Sequence, residues 1–182
     1  VKGLTFGKHR QFLDEIVQEL ETIQYQILQP WQVLNAKDYG VPQRRERLFL
    51  IGARQTLPLP IYPPPYSDVV TCGDALGDLP DAEQFDALNH SDQVQADYLD
   101  KPKGYRALMR CATPSAWRLG YQRHWQLQWL TASQRTNHSP LSRQRFRETA
   151  PGSIEPVSRF FRLAETGIAN TLRAGTDSAR GA

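Results

Sequence analysis

Cysteine is nearly absent. The 182 residues hold two, Cys72 and Cys111, too few for a disulfide framework or a thiolate metal cage. Such sparse use fits a reducing, cytoplasmic setting. The histidines His90, His124 and His138 have no metal-ligand spacing, and His9 reads as a surface residue of a helix. Long apolar runs are also missing. The longest, Leu48-Phe49-Leu50-Ile51 with its flanks, is far too short to span a bilayer. No charged head followed by an apolar run opens the chain, so no signal peptide is visible. The first residue is Val1 rather than Met, which reads as a processed chain or a fragment. With 40% hydrophobic and 23% charged residues the composition is globular rather than disordered. The length suits about one to one and a half ordinary domains.

Charge of one sign is missing from two long stretches. Residues 68–100 carry nine acids and no Lys or Arg, whereas residues 101–147 carry ten bases and no acid. The net charge of +3 averages over these opposed blocks. A basic block interleaved with aromatics is a candidate polyanion surface. Mutual pairing of the blocks, or two solvated faces, accounts for the same pattern.

Periodicity divides the chain at a proline-rich stretch. Phe12, Leu13, Ile16, Val17, Leu20 and Ile23 form one apolar stripe, which predicts a helix over 8–24. Residues 25–35 read as extended, with Pro30 marking an irregular or edge section. Residues 47–53 read as a second strand, whose continuous apolar run predicts cover on both faces. Helix, strand, loop and strand make a piece of an α/β layer fold. Residues 57–66 hold five of the 13 prolines and read as a stiff boundary segment. Beyond it, Thr71 and Asp74 are placed to cap a short helix that ends by Pro80. Ser139-Pro140 opens a helix to about Thr149, stopped by Pro151-Gly152, with Phe146 as its anchor. Residues 158–163 and 168–172 are short strand candidates.

The most informative stretch is Asn35-Ala36-Lys37-Asp38-Tyr39-Gly40-Val41-Pro42-Gln43-Arg44-Arg45-Glu46-Arg47, followed by the apolar run. Gly40 and Pro42 make a turn and a strand then begins. In an extended chain Gln43, Arg45 and Arg47 fall on one side. Guanidinium forks beside an amide suit phosphate or a base edge. An ordinary strand start with solvated arginines has the same spacing.

This stretch resembles the eighth conserved motif of the DNA cytosine-5 methyltransferases, Gln-x-Arg-x-Arg before an apolar strand, with Gln43, Arg45 and Arg47 at its three positions. The resemblance implies that Arg45 and Arg47 help to bind the extruded cytosine or its phosphates. Val1-Lys2-Gly3-Leu4 is similar to the tail of the family's Glu-Asn-Val motif, so the catalytic glutamate would precede Val1. Residues Gly167-Ile168-Ala169-Asn170-Thr171-Leu172 resemble the Thr-Leu pair of the family's target recognition domain, which would place Thr171 near the DNA backbone. The following Arg173, Gly175 and Arg180 lie among small residues that suit a DNA-reading loop, though such composition also suits a flexible tail.

What the family has and these residues lack is equally informative. Its nucleophile is a cysteine after a proline, but Cys72 follows Thr71 and Cys111 follows Arg110. Cys72 reads as a helix-start or core residue and Cys111 as a small hydrophobe. A Gly-rich loop for S-adenosylmethionine is not present, so the chain itself is expected to hold no cofactor-binding residue.

The resemblance implies an α/β fold class: a partial S-adenosylmethionine-dependent methyltransferase (Rossmann-like) sheet, then a mixed, loop-rich recognition domain. Residues 1–56 would end the catalytic domain, 57–66 would link, and 67–182 would form a truncated recognition domain. The implied partners are double-stranded DNA and the remainder of the methyltransferase or a complementary subunit, in the prokaryotic cytoplasm. Arg143, Arg145 and Arg147, on the predicted helix, are candidates for positioning contacts with DNA. Trp125 and Trp129 suit base stacking or one face of a core helix. Two other readings stand beside this one: a non-catalytic DNA-binding module, and a basic domain that binds RNA or single strands.

Overall fold

The computed structural model describes residues 7–98, 100–112 and 126–171. The chain divides into two compact units, Val1–Val69 and Val70–Ala182.

In the first unit, α1 (Lys8–Thr22) lies on β1 (Tyr25–Ile27). The apolar stripe works as the spacing predicts at its centre: Leu13 is buried and Ile16, Val17 and Leu20 are half-buried. Its ends differ, for Phe12 and Ile23 are exposed. The strand β2 (Gln32–Asn35) leads through a 3-10 turn over Ala36–Tyr39 to β3 (Gln43–Arg44), β4 (Glu46–Phe49) and β5 (Gly52–Arg54). β1 pairs antiparallel with β5, and β2 with β4. The two pairs continue one ribbon, but residues 28–31 oppose only residues 50–51. That mismatch breaks the expected single strand at Leu50. The pairing is antiparallel, and Phe49 is 44% exposed, so the apolar run is not covered on both faces as expected. At the join Gly52 lies close under Ile27: a Cβ there would come within 2.6 Å of Ile27 Cδ1, which would have to shift.

The proline-rich residues belong to this unit rather than spanning free between two. Tyr62 donates its hydroxyl to Phe49 O (2.9 Å), Tyr66 N donates to Asp38 O (2.8 Å), and Gln26 Nε2 reaches Leu57 O (2.6 Å). Proline removes competing N–H donors, so the segment is fastened by its tyrosines and its few remaining amides.

The second unit opens with α2 (Cys72–Leu76), whose capping box pairs Thr71 and Asp74 reciprocally. Cys72 is buried at its start. The segment 165–167 lies against this helix: Cys72 N donates to Gly167 O and Gly73 N to Glu165 O. Gly73 permits that approach, since a Cβ would come within 2.9 Å of Glu165 O. After β6 (Val94–Gln95), α3 (Gly104–Met109) packs on α2. β6 pairs antiparallel with β7 (Trp129–Leu130). Leu88, Ala96 and Leu130 form the buried cluster, with Leu79, Ala82, Phe85 and Val94 against it. Trp129 thus stands in a strand, not on a helix face; Trp125 and His124 lie outside the described residues.

The helix α4 (Pro140–Glu148) follows the sequence closely: Ser139 Oγ accepts from Ser142 N, and proline occupies the first turn. A tight antiparallel turn over 152–162 contains the bridge of Ile154 with Phe161, where a longer strand over 158–163 was expected. The short strand β8 (Ala169–Asn170) falls within the predicted 168–172.

Leu88 is fully buried. Truncation to alanine there removes several core methyl contacts and leaves a cavity. We expect Leu88→Ala to destabilise the second unit by about 2–5 kcal/mol. An unchanged denaturant midpoint would show that this cluster is not its core.

Candidate nucleic-acid interface

The loop between β2 and β4 is held by one side chain. Asn35 Oδ1 accepts from Arg45 N (3.1 Å) and from Lys37 N (3.4 Å), while Ala36 N donates to Arg45 O (3.0 Å). Both ends of the loop are therefore tied at Asn35 and Ala36. Inside it, Gly40 takes a left-handed conformation (φ 76°) and packs against the Tyr66 ring. This conformation favours glycine, and it lets Val41 N return to Ala36 O (3.2 Å). The chain then projects Arg44 and Arg45 into solvent, while Gln43 and Arg47 are half-buried.

Strict alternation along one strand, expected for Gln43, Arg45 and Arg47, is interrupted at Arg45, which lies between β3 and β4. Arg47 Nη1 donates to the neighbouring Glu46 O (2.7 Å). The three residues remain within five positions of a pinned turn, an arrangement suited to gripping an anion or a base edge.

In the second unit the arginines divide by partner. Arg110 grips the buried Asp78 with two nitrogens, one at 2.9 Å. Arg106 Nη2 donates to Gly73 O (3.1 Å). Arg145, a candidate for DNA contact, is committed inside the unit: its Nε lies 3.1 Å from Glu155 Oε1. That contact is an ion pair by proximity, because the N–H does not align into a hydrogen bond. Arg147 is 66% exposed at the side chain and pairs with Glu83 (2.5 Å). Arg143 is half-buried on the same helix. Thr171 is the last described residue of its segment and is half-buried; Leu172, Arg173, Gly175 and Arg180 lie outside the described residues.

Glu155 was not evident as important from sequence. It is 1% exposed, and Val157 N and Ser158 N both donate to its carboxylate. Burial by itself would raise this carboxyl. The N–H bonds from Ser158 and Val157 and the charge of Arg145 outweigh it, holding the group below its ordinary range. The local signal was a carboxylate two and three residues before free amides in a proline-containing turn. Arg162 was missed as well. Its Nη1 donates to the carbonyls of Arg147 (2.7 Å) and Thr149 (2.6 Å), closing the C-terminal end of α4. Beside it, Phe146 meets His138 and Phe160 edge-on, at 5.1 and 5.5 Å between centroids. These rings line an open apolar cleft of about 410 Å³.

Among the described residues, no group of His, Cys, Asp and Glu is arranged to hold a metal ion, and no helix is long and apolar enough to cross a membrane.

The architecture is that of a methyltransferase fold. A crystal structure described as a DNA modification methyltransferase encoded within an E. coli prophage superposes with a TM-score of 0.66 at 24% identity. The match covers 93% of this chain and 50% of that one. A family model for C-5 cytosine-specific DNA methylases matches residues 1–156, and the chain belongs to that family. Curated relatives include the Type II methyltransferase M.XorII of Xanthomonas oryzae pv. oryzae, 53% identical over 182 residues. That alignment covers all of this chain and 42% of the relative. The Type II methyltransferase M.MthTI of Methanothermobacter thermautotrophicus is 39% identical over 92 residues, half of this chain and 27% of that protein. The chain thus spans less than half the length of these curated relatives.

The environment of Glu155 sets a pH dependence. A carboxyl lowered in the folded state contributes stability above its ordinary value of about 4.5, lost as pH falls below that value toward the folded one. Glu155→Gln should lower the melting temperature at pH 7, with the difference shrinking in acid below about pH 4.5. A difference that stays constant from pH 7 to pH 3 would show that the charge of Glu155 is not what stabilises.

Proposed function

We propose that this chain is part of a DNA (cytosine-5)-methyltransferase, which transfers a methyl group from S-adenosylmethionine to C5 of cytosine in duplex DNA. The observation that carries this reading is the loop tied at Asn35, which presents Arg44 and Arg45 within the segment matched to the family. In the proposed division of labour, Gln43, Arg45 and Arg47 clamp the target base or its phosphates. Residues 67–182 form the recognition domain, with Thr171, Arg143 and Arg147 at its DNA face and Arg145 as an internal support.

The family's methyl donor is S-adenosylmethionine, and these 182 residues carry no Gly-rich loop suited to hold it. No cysteine in these 182 residues follows a proline. The chemistry at the cytosine ring is therefore assigned to residues outside this set. What these residues contribute is charge and positioning. Extruding a base costs several kcal/mol, which contacts to the flipped nucleotide and its flanking phosphates offset. Charged hydrogen bonds from the arginines, worth about 1.5–3 kcal/mol each, are of the needed size.

Two measurements test the proposal. The 182-residue chain alone should transfer no methyl group. Activity should appear when it is mixed with a complementary chain carrying a Pro-Cys loop and a Gly-rich cofactor loop. Methyl transfer by the purified chain alone would overturn this, and binding without restored activity would favour a non-catalytic DNA-binding module. In the reconstituted enzyme, Arg45→Ala should reduce kcat/KM by roughly tenfold to a hundredfold, as loss of one charged contact implies. A variant at the parental rate would remove Arg45 from the clamp.

A further inference from the structure

Arg147, on the last turn of α4, pairs with the Glu83 carboxylate at 2.5 Å. Arg135 Nη1 reaches the backbone oxygen of the same residue at 3.4 Å, and Arg143 stands one turn before Arg147 on the same face of α4. The Glu83 carboxyl is held below its ordinary range, first by the hydrogen bond from Arg147. Burial opposes this, and the charges of Arg147, Arg135 and Arg143 add to it. Glu83 sits in a 3-10 turn (Ala82–Gln84) fixed by its Asp81 cap and by the packing of Ala82 and Phe85 on the core. The backbone that carries this carboxylate is therefore fixed by the fold. Both partners are solvent-accessible, at 66% for Arg147 and 43% for Glu83. Arg110 and Arg145, in contrast, face carboxylates that are almost wholly buried.

We propose that Arg135, Arg143 and Arg147 form a site for one backbone phosphate of duplex DNA, and that Glu83 occupies it in the free protein as an internal counter-anion. A carboxylate and a phosphodiester present the same chemistry to a guanidinium: paired anionic oxygens accepting N–H bonds. An exposed ion pair is worth little on its own, so exchange of one anion for the other is inexpensive. The consequence is a threshold. DNA has to displace Glu83 before Arg147 counts as a phosphate contact, which weakens nonspecific binding while leaving the arginine available once the duplex is docked. This inference rests on the DNA-binding reading above.

Duplex binding by the full 182-residue chain tests it, using a 20-base-pair oligonucleotide titrated across salt concentrations. Glu83→Gln should raise affinity roughly fivefold at low salt, because no internal anion then has to be displaced, whereas Arg147→Ala should flatten the slope of log affinity against log salt by about 0.9, the increment for one phosphate contact. Adding Arg147→Ala to Glu83→Gln should abolish the gain. Glu148→Gln removes an equal charge beside Arg147 on α4, where Glu148 accepts from Gln144 Nε2 (2.8 Å). It should give a clearly smaller gain and no change in slope. Equal effects of Glu83→Gln and Glu148→Gln would reduce the result to net charge and overturn the site, as would a Glu83→Gln gain that survives Arg147→Ala. Displacement of duplex from Glu83→Gln by inorganic phosphate, in excess of chloride at matched ionic strength, would assign the site to free phosphate and overturn the DNA assignment. Binding of duplex that ignores Glu83 sinks this proposal alone. Absence of duplex binding in parent and variants alike sinks the DNA-binding reading with it.

Discussion

A carboxylate taken out of water has to be met by cations or N–H donors, and the second unit is organised around that requirement. Among the described residues, Asp78 and Glu155 are its buried acids. Arg110, from the end of α3, reaches Asp78 just beyond α2, and the same guanidinium touches Ala75 O. Packing of the two short helices and neutralisation of the charge are thus one event. Glu155 plays the same part elsewhere, joining Arg145 of α4 to the turn that follows it. Removing one member of such a pair leaves an uncompensated charge, which is why these contacts constrain structure more than they add net stability. The acidic stretch 68–100 gains a definite meaning from this. At least two of its acids, Asp78 and Glu83, are the internal partners of arginines from the basic stretch.

The first unit depends on a smaller device. A single amide side chain, Asn35, closes a ten-residue excursion of the backbone and fixes where the arginines emerge. Loops that carry charge for a ligand work best when the chain is ordered before binding, because ordering afterwards costs affinity. Tyr66 and Tyr62 extend that order into the proline-rich residues, packing on Gly40 and bonding to Phe49. The segment that composition marks as a boundary is thereby part of the support for the loop.

Much of the local structure was legible because its causes are local. The Thr71 and Asp74 box, the Ser139-Pro140 start of α4 and the central stripe of α1 each follow from neighbours within four positions. The single strand through Leu50 was not legible. Its break arises from a mismatch in length with residues 28–31, which no pattern within 47–53 reports. Trp129 was misplaced for the same reason: spacing to Trp125 suggested a helix, whereas pairing with β6 makes it a strand.

The site divides along the same line. The sequence by itself determined the family, the pinned Asn-to-Arg stretch and the presence of an arginine-rich block, because those are matters of residue identity and short spacing. Only the tertiary structure decided which arginines are free. Arg143, Arg145 and Arg147 alternate along one helix and look equivalent in the chain, yet Arg145 meets Glu155 and Arg147 meets Glu83. Electrostatic roles depend on distance and burial, and both are set by residues far away in sequence. A charge is a property of the residue, but its availability to a partner is a property of the fold.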